Sequence, residues 1–419
     1  GGARLSGTVR IHGAKNSVLP VLAACCLCTS PCVLHNCPDI EDVRTALAIL
    51  ESLGCKTRWE GSTLCIDASG LSRSRVEKRL AGKMRSSILF LGALLARCGK
   101  AELALPGGCP LGERPIDLHV KSLAKLGARF RFEKGILQAA WRERRDGDIF
   151  LSIPSVGATE NLLLACAMGH GTVTLHGAAR EPEITDLIGF LRAAGADIRG
   201  AGSGNITICG VKKLHGATYT ILPDRIETAT YLCMAAGCGG EVELQRCDGR
   251  LLAPVIERLR EAGCEIRSVG SEIALKSSGK LTAVSPVTTA PYPGFPTDAQ
   301  AILMAAVLRA KGESVFQETV FERRFLHVPE LQKLGADIAL SGKTARVRGV
   351  SDLHGAMLRA EDLRGAAALI TAGLLAEGES EVLGLSHLAR GYENLEQNLK
   401  NLGAAIKSVD IPAPFVYNT

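Results

Sequence analysis

One phrase recurs along the chain: a helical stretch ends in Leu-Gly or Ala-Gly, and a small residue then leads into a strand. It occurs six times, at Leu53-Gly54-Cys55, Leu126-Gly127-Ala128, Ala194-Gly195-Ala196, Ala262-Gly263-Cys264, Leu334-Gly335-Ala336 and Leu402-Gly403-Ala404. The glycines lie 73, 68, 68, 72 and 68 residues apart, so units of roughly 70 residues fill the 419-residue chain. A glycine at this point closes a helix in the left-handed region and turns the chain straight into a strand.

Ahead of each amphipathic terminal helix lies a second, more apolar one, as in residues 161–168, 228–236, 299–308 and 365–375. A Gly-bearing turn and a short alternating strand follow, for example Gly171-Thr-Val-Thr-Leu175 and Gly240-Glu-Val-Glu-Leu244. Each unit therefore reads helix, strand, loop, second helix, strand or strand pair. A helix that is apolar nearly all round belongs at the centre. Six α/β units predict an α/β protein of two domains with three units each, and triplets can close around a pseudo-threefold axis with apolar helices inside and sheets outside. The expected first domain is 15–222, and the second is 1–14 with 223–419. The first strand, in residues 3–12, then completes the far domain, and the chain crosses twice.

The starts of the apolar helices carry charge: Lys15 with Asn16, Arg85, Thr159-Glu160-Asn161, Arg225, Asp298 and Arg364. Helix N-termini attract anions and disfavour cations by a few tenths of a kcal/mol or more. Cations at four such starts suit two rings of helix ends that grip phosphates and carboxylates across a cleft; surface salt bridging is the blander account. The loops after the short strands add Arg114, Arg180, Arg323, Arg324 and Arg390. Arginine offers a planar fork of donors that fits such groups. Cys109 sits in the Gly/Pro loop Pro106-Gly-Gly-Cys109-Pro, near Arg114, a setting for an exposed, reactive thiol rather than an inert turn residue. Asp298 follows a Pro-rich turn, where a helix cap is the plain reading.

Fifteen cysteines in a chain this long read as small buried hydrophobes of a reducing compartment, not as a disulfide scaffold. The cluster Cys25, Cys26, Cys28, Cys32 and Cys37 lacks paired C-x-x-C elements, so no metal is expected. The apolar run 18–28 is too short for a bilayer, and no signal-peptide pattern opens the chain, so a cytoplasmic protein without membrane contact is expected. Aromatics at 4% give no stacking platforms for nucleic acid, and a net charge of +6 suits a pocket for small anions at least as well.

The segments Gly13-Ala-Lys15-Asn16, Met84-Arg85, Pro106-Gly-Gly-Cys109, Arg114-Pro-Ile-Asp117-Leu118, Ser155-Val-Gly-Ala-Thr159, Ala179-Arg-Glu-Pro-Glu183, Leu222-Pro-Asp-Arg225, Phe295-Pro-Thr-Asp298, Arg324-Phe-Leu-His327 and Arg390-Gly-Tyr392, taken in order, carry a resemblance. The chain resembles the UDP-N-acetylglucosamine enolpyruvyl transferases of bacterial peptidoglycan synthesis from about Gly7 to Ser408. The resemblance implies a pair of inside-out α/β barrels with substrates between them and no cofactor. It implies that Lys15, Arg114 and Arg390 hold phosphoenolpyruvate. Arg85, Arg114, Pro115, Ile116, Asp117, Leu118, Ser155, Val156, Asp298 and Val320 would line the sugar-nucleotide site, with Asn16, Gly157, Arg324 and Arg364 as further binding candidates. Cys109 matches the family's proton donor, on a loop that closes over the site, and Asp298 the acceptor of the sugar hydroxyl proton.

The chemistry asks for such groups. Carbon 2 of phosphoenolpyruvate becomes electrophilic only as carbon 3 is protonated, so an acid stands on one side and a base for the attacking hydroxyl on the other. Anionic substrates need cations in a dry cleft. Two frequent family lysines are replaced here, by Ile153 and by Glu41, and residues 411–419 have no counterpart. Within the fold the alternative is a shikimate-pathway enolpyruvyl transferase; outside catalysis it is a sugar-nucleotide-binding paralogue, which the presence of Cys109, Asp298 and Lys15 disfavours.

Overall fold

A computed structural model describes residues 1–105, 107, 116–142 and 144–409. The six repeat glycines all have φ between 93° and 104°, where a Cβ would be strained, so each ends its helix as the repeat predicts.

The apolar helices are Lys15–Cys25, Leu89–Cys98, Val156–Cys166, Arg225–Cys238, Thr297–Ala306 and Leu363–Leu375. Their side chains are buried almost all round, because each packs on its two counterparts. The first three pack together, and so do the last three. The second helix of each unit is amphipathic: Glu41–Leu53 buries Val43, Leu47 and Leu50 and turns Glu41 and Arg44 to solvent.

Five four-stranded sheets wrap these triplets, built to one pattern. The strand after the inner helix lies between an antiparallel hairpin on one side and a parallel strand from the preceding unit on the other. Cys32–His35, for example, pairs antiparallel with Thr63–Asp67 and parallel with Thr218–Thr220. Because Thr218–Thr220 ends the third unit, its return to the first sheet closes the ring. The sixth sheet has two strands among the described residues, Met357–Arg359 and Glu381–Leu383. Helices inside and sheets outside make each half an inside-out α/β barrel.

Two separate hydrophobic cores result. One draws on residues 18–221 and the other on residues 5–11 and 229–404. The strand Leu5–Arg10 explains the second set, since it pairs parallel with Gly240–Gln245, Leu5 opposite Gly240. The chain then passes between cores beside its later crossing: Ala14 N–H donates to Leu222 O at 2.7 Å and Asp224 N–H to His12 O at 2.8 Å.

One expectation shifts. The third apolar helix starts at Val156, not near Thr159, and ends at Cys166. Ser155 causes this by accepting the Ala158 N–H in its side chain, so the helix begins three residues earlier.

Candidate active site

The starts of the inner helices and the loops after the short strands meet between the two cores. Lys15 opens its helix with its backbone N–H on Asp224 Oδ2, 3.1 Å away. Its Nζ lies 2.8 Å from Asp42 Oδ2, and Asp42 belongs to the first turn of Glu41–Leu53. Arg390, from the other core, reaches the same carboxylate: Nε to Oδ1 at 2.9 Å and Nη2 to Oδ2 at 3.2 Å. One buried carboxylate is thus shared by two cations that come from different cores. Burial lowers the Lys15 pKa, and Arg390 and Arg364 add to this while Asp42 opposes it.

A second constellation surrounds Asp298. Its N-cap position is taken by Pro296, and the Asp298 side chain is not the cap. Oδ1 is 2.5 Å from Arg324 Nη2 and Oδ2 is 3.6 Å from Arg364 Nη2. Burial alone would raise the Asp298 carboxyl, but Arg364, Arg324 and Arg225 outweigh it and hold the group well below the usual carboxylate range. Arg324 also donates through Nε and Nη2 to Thr297 O, at 3.2 and 3.1 Å, which fixes its fork. Arg364 lies 5.4 Å over the Tyr392 ring, whose hydroxyl is 2.8 Å from that of Thr230. Arg225 pairs with Glu183 at 2.9 Å and stacks 5.8 Å from the Tyr292 ring. Arg364 is felt by both Lys15 and Asp298, which makes the two constellations neighbours.

A third group belongs to the first core. Arg85 opens the 3-10 turn Arg85–Ile88 that feeds the second inner helix. His119, just inside Asp117–Lys125, bonds Asn161 at 2.9 Å. Burial and then Arg85 push His119 down to about 4, so it is neutral near pH 7. A Cβ on Gly157 would come within 3.3 Å of His119 Cε1, a tight contact that the His119 ring would have to yield to by a few tenths of an ångström. Asp117 is engaged with Lys121 at 3.0 Å, one turn along its own helix. Glu160, one turn into the Val156–Cys166 helix, is pushed up first by burial and then by Glu183, the partner of Arg225, which ties the third group to the second.

Of the residues singled out in the sequence, Lys15, Asp298, Arg324, Arg364 and Arg390 come together. Arg85, Ile116, Asp117, Leu118, Ser155, Val156 and Gly157 gather in the first core. Asn16 and Val320 are exposed, on the helix start and on the loop after Glu313–Gln317 respectively. Cys109, Arg114 and Pro115 lie outside the described residues. Ile153, in place of the frequent lysine, is 60% exposed, so it puts apolar surface where a cation would otherwise stand. Sequence reasoning missed Asp42, His119 and Asp362. Asp42 resembles any acidic residue in a first helical turn, and no local signal marks its partners. Among the described residues, no group of three or more His, Cys, Asp or Glu is placed to hold a metal ion.

A family profile described as EPSP synthase (3-phosphoshikimate 1-carboxyvinyltransferase) matches residues 1–399. The chain is 46% identical over 406 residues to UDP-N-acetylglucosamine 1-carboxyvinyltransferase 2 of Caldanaerobacter subterraneus subsp. tengcongensis, covering 97% of each. It is 47% identical over 408 residues to UDP-N-acetylglucosamine 1-carboxyvinyltransferase of Gloeobacter violaceus, covering 97% of this chain and 89% of the relative. Among solved structures, the enolpyruvyl transferase NikO from Streptomyces tendae superposes with a TM-score of 0.90 at 31% identity, over 98% of both chains. EPSP synthase from Acinetobacter baumannii reaches 0.72 at 19% identity over 96% of both, a likeness of fold alone.

Proposed function

The chain belongs to the enolpyruvyl (1-carboxyvinyl) transferase family, and from that premise we propose that it transfers the enolpyruvyl group of phosphoenolpyruvate to the 3-hydroxyl of UDP-N-acetylglucosamine, releasing phosphate. This would be the first committed step of peptidoglycan precursor synthesis, in the cytoplasm, and would tie the protein to cell-wall growth and division. The cores are read as two domains, 15–222 and 1–14 with 223–419, that hold the substrates between them.

The observation that carries the reading is the convergence of Lys15 and Arg390 on one carboxylate, at 2.8 and 2.9 Å, from the two cores. Cations so arranged can grip one anion between them, as phosphoenolpyruvate requires. In the proposed reaction Cys109 delivers a proton to carbon 3 of phosphoenolpyruvate while the sugar oxygen bonds to carbon 2. Asp298 receives the hydroxyl proton. Its arginine partners keep it ionised but also weaken it as a base, so that proton moves as the carbon–oxygen bond forms rather than before. In the resulting tetrahedral ketal the Cys109 thiolate takes back a methyl proton while phosphate leaves with the proton held by Asp298, so the carbon–carbon double bond returns and both groups are restored. Arg85, Arg114, Pro115, Ile116, Asp117, Leu118, Ser155, Val156, Asp298 and Val320 are assigned to the sugar nucleotide, with Gly157 beside them.

A phosphate-release assay tests this. Release with UDP-N-acetylglucosamine and none with shikimate-3-phosphate is expected; the reverse selects the shikimate reading, and none with either leaves a binding protein. Fosfomycin, an anionic epoxide, is expected to alkylate Cys109 alone, since the other fourteen thiols are buried or half-buried in the fold. Adducts spread over other cysteines in peptide mass spectra would place the reactive thiol elsewhere.

A further inference from the structure

The first crossing between the cores carries a histidine among carboxylates. His12 follows the strand Leu5–Arg10 and precedes the Lys15 helix. Its carbonyl accepts the Asp224 N–H of the second crossing, so its backbone is fixed. Its own N–H donates to Glu227 Oε2 at 2.9 Å, and its Nδ1 lies 2.9 Å from Glu227 Oε1. Nε2, on the other side of the ring, faces Glu393 Oε2 at 3.8 Å. That same Glu393 oxygen accepts the backbone N–H of Asp39 at 2.9 Å.

These contacts form a relay. Glu393 stands three residues after Arg390, and Asp39 three residues before Asp42. Glu393 therefore ties together the two segments whose side chains, Arg390 and Asp42, meet between the cores. We propose that His12 is a proton-controlled positioning residue: its charged ring holds Glu393 inward, and Glu393 holds the start of the Glu41–Leu53 helix against the Arg390 segment. It touches no reacting group itself.

The chemistry has a definite sign. One proton is shared between Nδ1 and the buried Glu227 carboxylate. The proton at issue is the one on Nε2. Without it, a nitrogen lone pair faces the Glu393 carboxylate and repels it; with it, an N–H and a positive charge attract the same oxygen. The charged groups facing the ring are Glu227 at the start of Arg225–Cys238, Glu393, and Asp224 at the second crossing. Burial disfavours the charged ring, but hydrogen bonding and charge from Glu227, with Glu393 and Asp224, outweigh it and raise the His12 pKa above 6.5. Glu227 acts on the ring whether or not the halves are docked, so the part of this shift that docking controls is the Glu393 part; to that extent the docked arrangement binds the proton more tightly, and rising pH loosens it.

The test uses the whole chain in three measurements. Proton–carbon spectra of ring-labelled histidine, with the His12 signal assigned by its loss in His12→Gln, follow the ring with pH. A midpoint above 6.5 that drops by roughly half a unit or more in Glu393→Gln is expected. Small-angle scattering between pH 6.5 and 8.5 should show the radius of gyration rising in the wild type and flat in His12→Gln. The kinetic consequence rests on the function proposed above: across that range the KM for phosphoenolpyruvate should rise about threefold relative to His12→Gln, with the kcat ratio flat. The substrate's own ionisation cancels in that ratio. A His12 midpoint indifferent to Glu393→Gln, or a pH response of scattering that persists in His12→Gln, overturns the proposal. If phosphate is never released, the proposed function fails, while the titration and scattering still decide the role of His12.

Discussion

Lys15, Asp42 and Arg390 show what a residue type can and cannot announce. A lysine at a helix start and an arginine in the loop after a short strand both read from the sequence as candidate anion binders, because each is locally unfavourable or expensive to order without a ligand. Asp42 was not legible, because its meaning lies in partners 27 and 348 positions away. Truncating Lys15→Ala or Arg390→Ala removes one charge-assisted contact to a bound anion, at about 2–4 kcal/mol of transition-state stabilisation. Turnover at low phosphoenolpyruvate should fall roughly thirty- to a thousandfold by that conversion, with the circular-dichroism spectrum unchanged. Near-normal turnover in either variant would remove that residue from the site. His119 makes a prediction about pH. Its folded pKa is depressed to about 4 from 6.5, first by burial and then by Arg85, so the unfolded chain binds the proton more readily. Stability is therefore full above 6.5 and declines as pH falls from 6.5 toward 4, by up to about 3 kcal/mol from this residue. His119→Gln should flatten that part of a urea-midpoint-versus-pH curve; an unchanged slope would mean the ring is protonated without cost.

At the scale of elements, the repeat made the fold readable. A glycine every 68 to 73 residues fixed six helix ends, and the contrast between all-apolar and amphipathic helices told which lie inside. Boundaries were less readable where a polar side chain decides them. Ser155 starts its helix ahead of the first strongly apolar residues, and three other inner helices differ in how they begin. Thr297–Ala306 has no side-chain cap, whereas Asp224 and Asp362 accept two backbone N–H groups each. The Asp362 cap holds the N–H groups of Arg364 and Gly365 at 3.0 and 3.1 Å, at a buried site with Arg324 Nη1 3.8 Å away. Removing it in Asp362→Ala leaves orphan donors and an unbalanced guanidinium, a loss of about 1–3 kcal/mol. Asp362→Asn keeps the cap oxygen and should recover part of the difference. Denaturant midpoints of the three proteins check this, and equal midpoints for Ala and Asn would show that charge, not capping, is what the carboxylate supplies.

For the whole molecule, cationic helix ends on both sides of a cleft, as the sequence suggested, would by charge alone repel one another. The structure changes the balance, because Asp42 sits between Lys15 and Arg390 and neutralises much of that repulsion. What joins the halves is then two chain crossings, pinned by short backbone bonds near His12 and Leu222, and polar contacts at the cleft: Asp42 with Arg390, Glu183 with Arg225, Glu393 with Asp39, and Glu181 Oε1 with the Tyr292 N–H at 3.3 Å. The apolar cores themselves are separate. Desolvation offsets much of the attraction in the buried pairs, and salt weakens the more exposed Glu393 contact to Asp39, so a hinge at the crossings should open at low cost. A ligand whose anionic diphosphate and polar ends touch both halves shifts that equilibrium by its differential affinity alone. UDP-N-acetylglucosamine should therefore reduce the radius of gyration in solution scattering, and raising salt without ligand should increase it. Asp42→Asn should lie further toward the open form than wild type before ligand, since it leaves Lys15 and Arg390 facing each other unscreened. A radius that ignores ligand, salt and this substitution alike would mean that the halves move as one body, and that the cleft is set by packing rather than by charge.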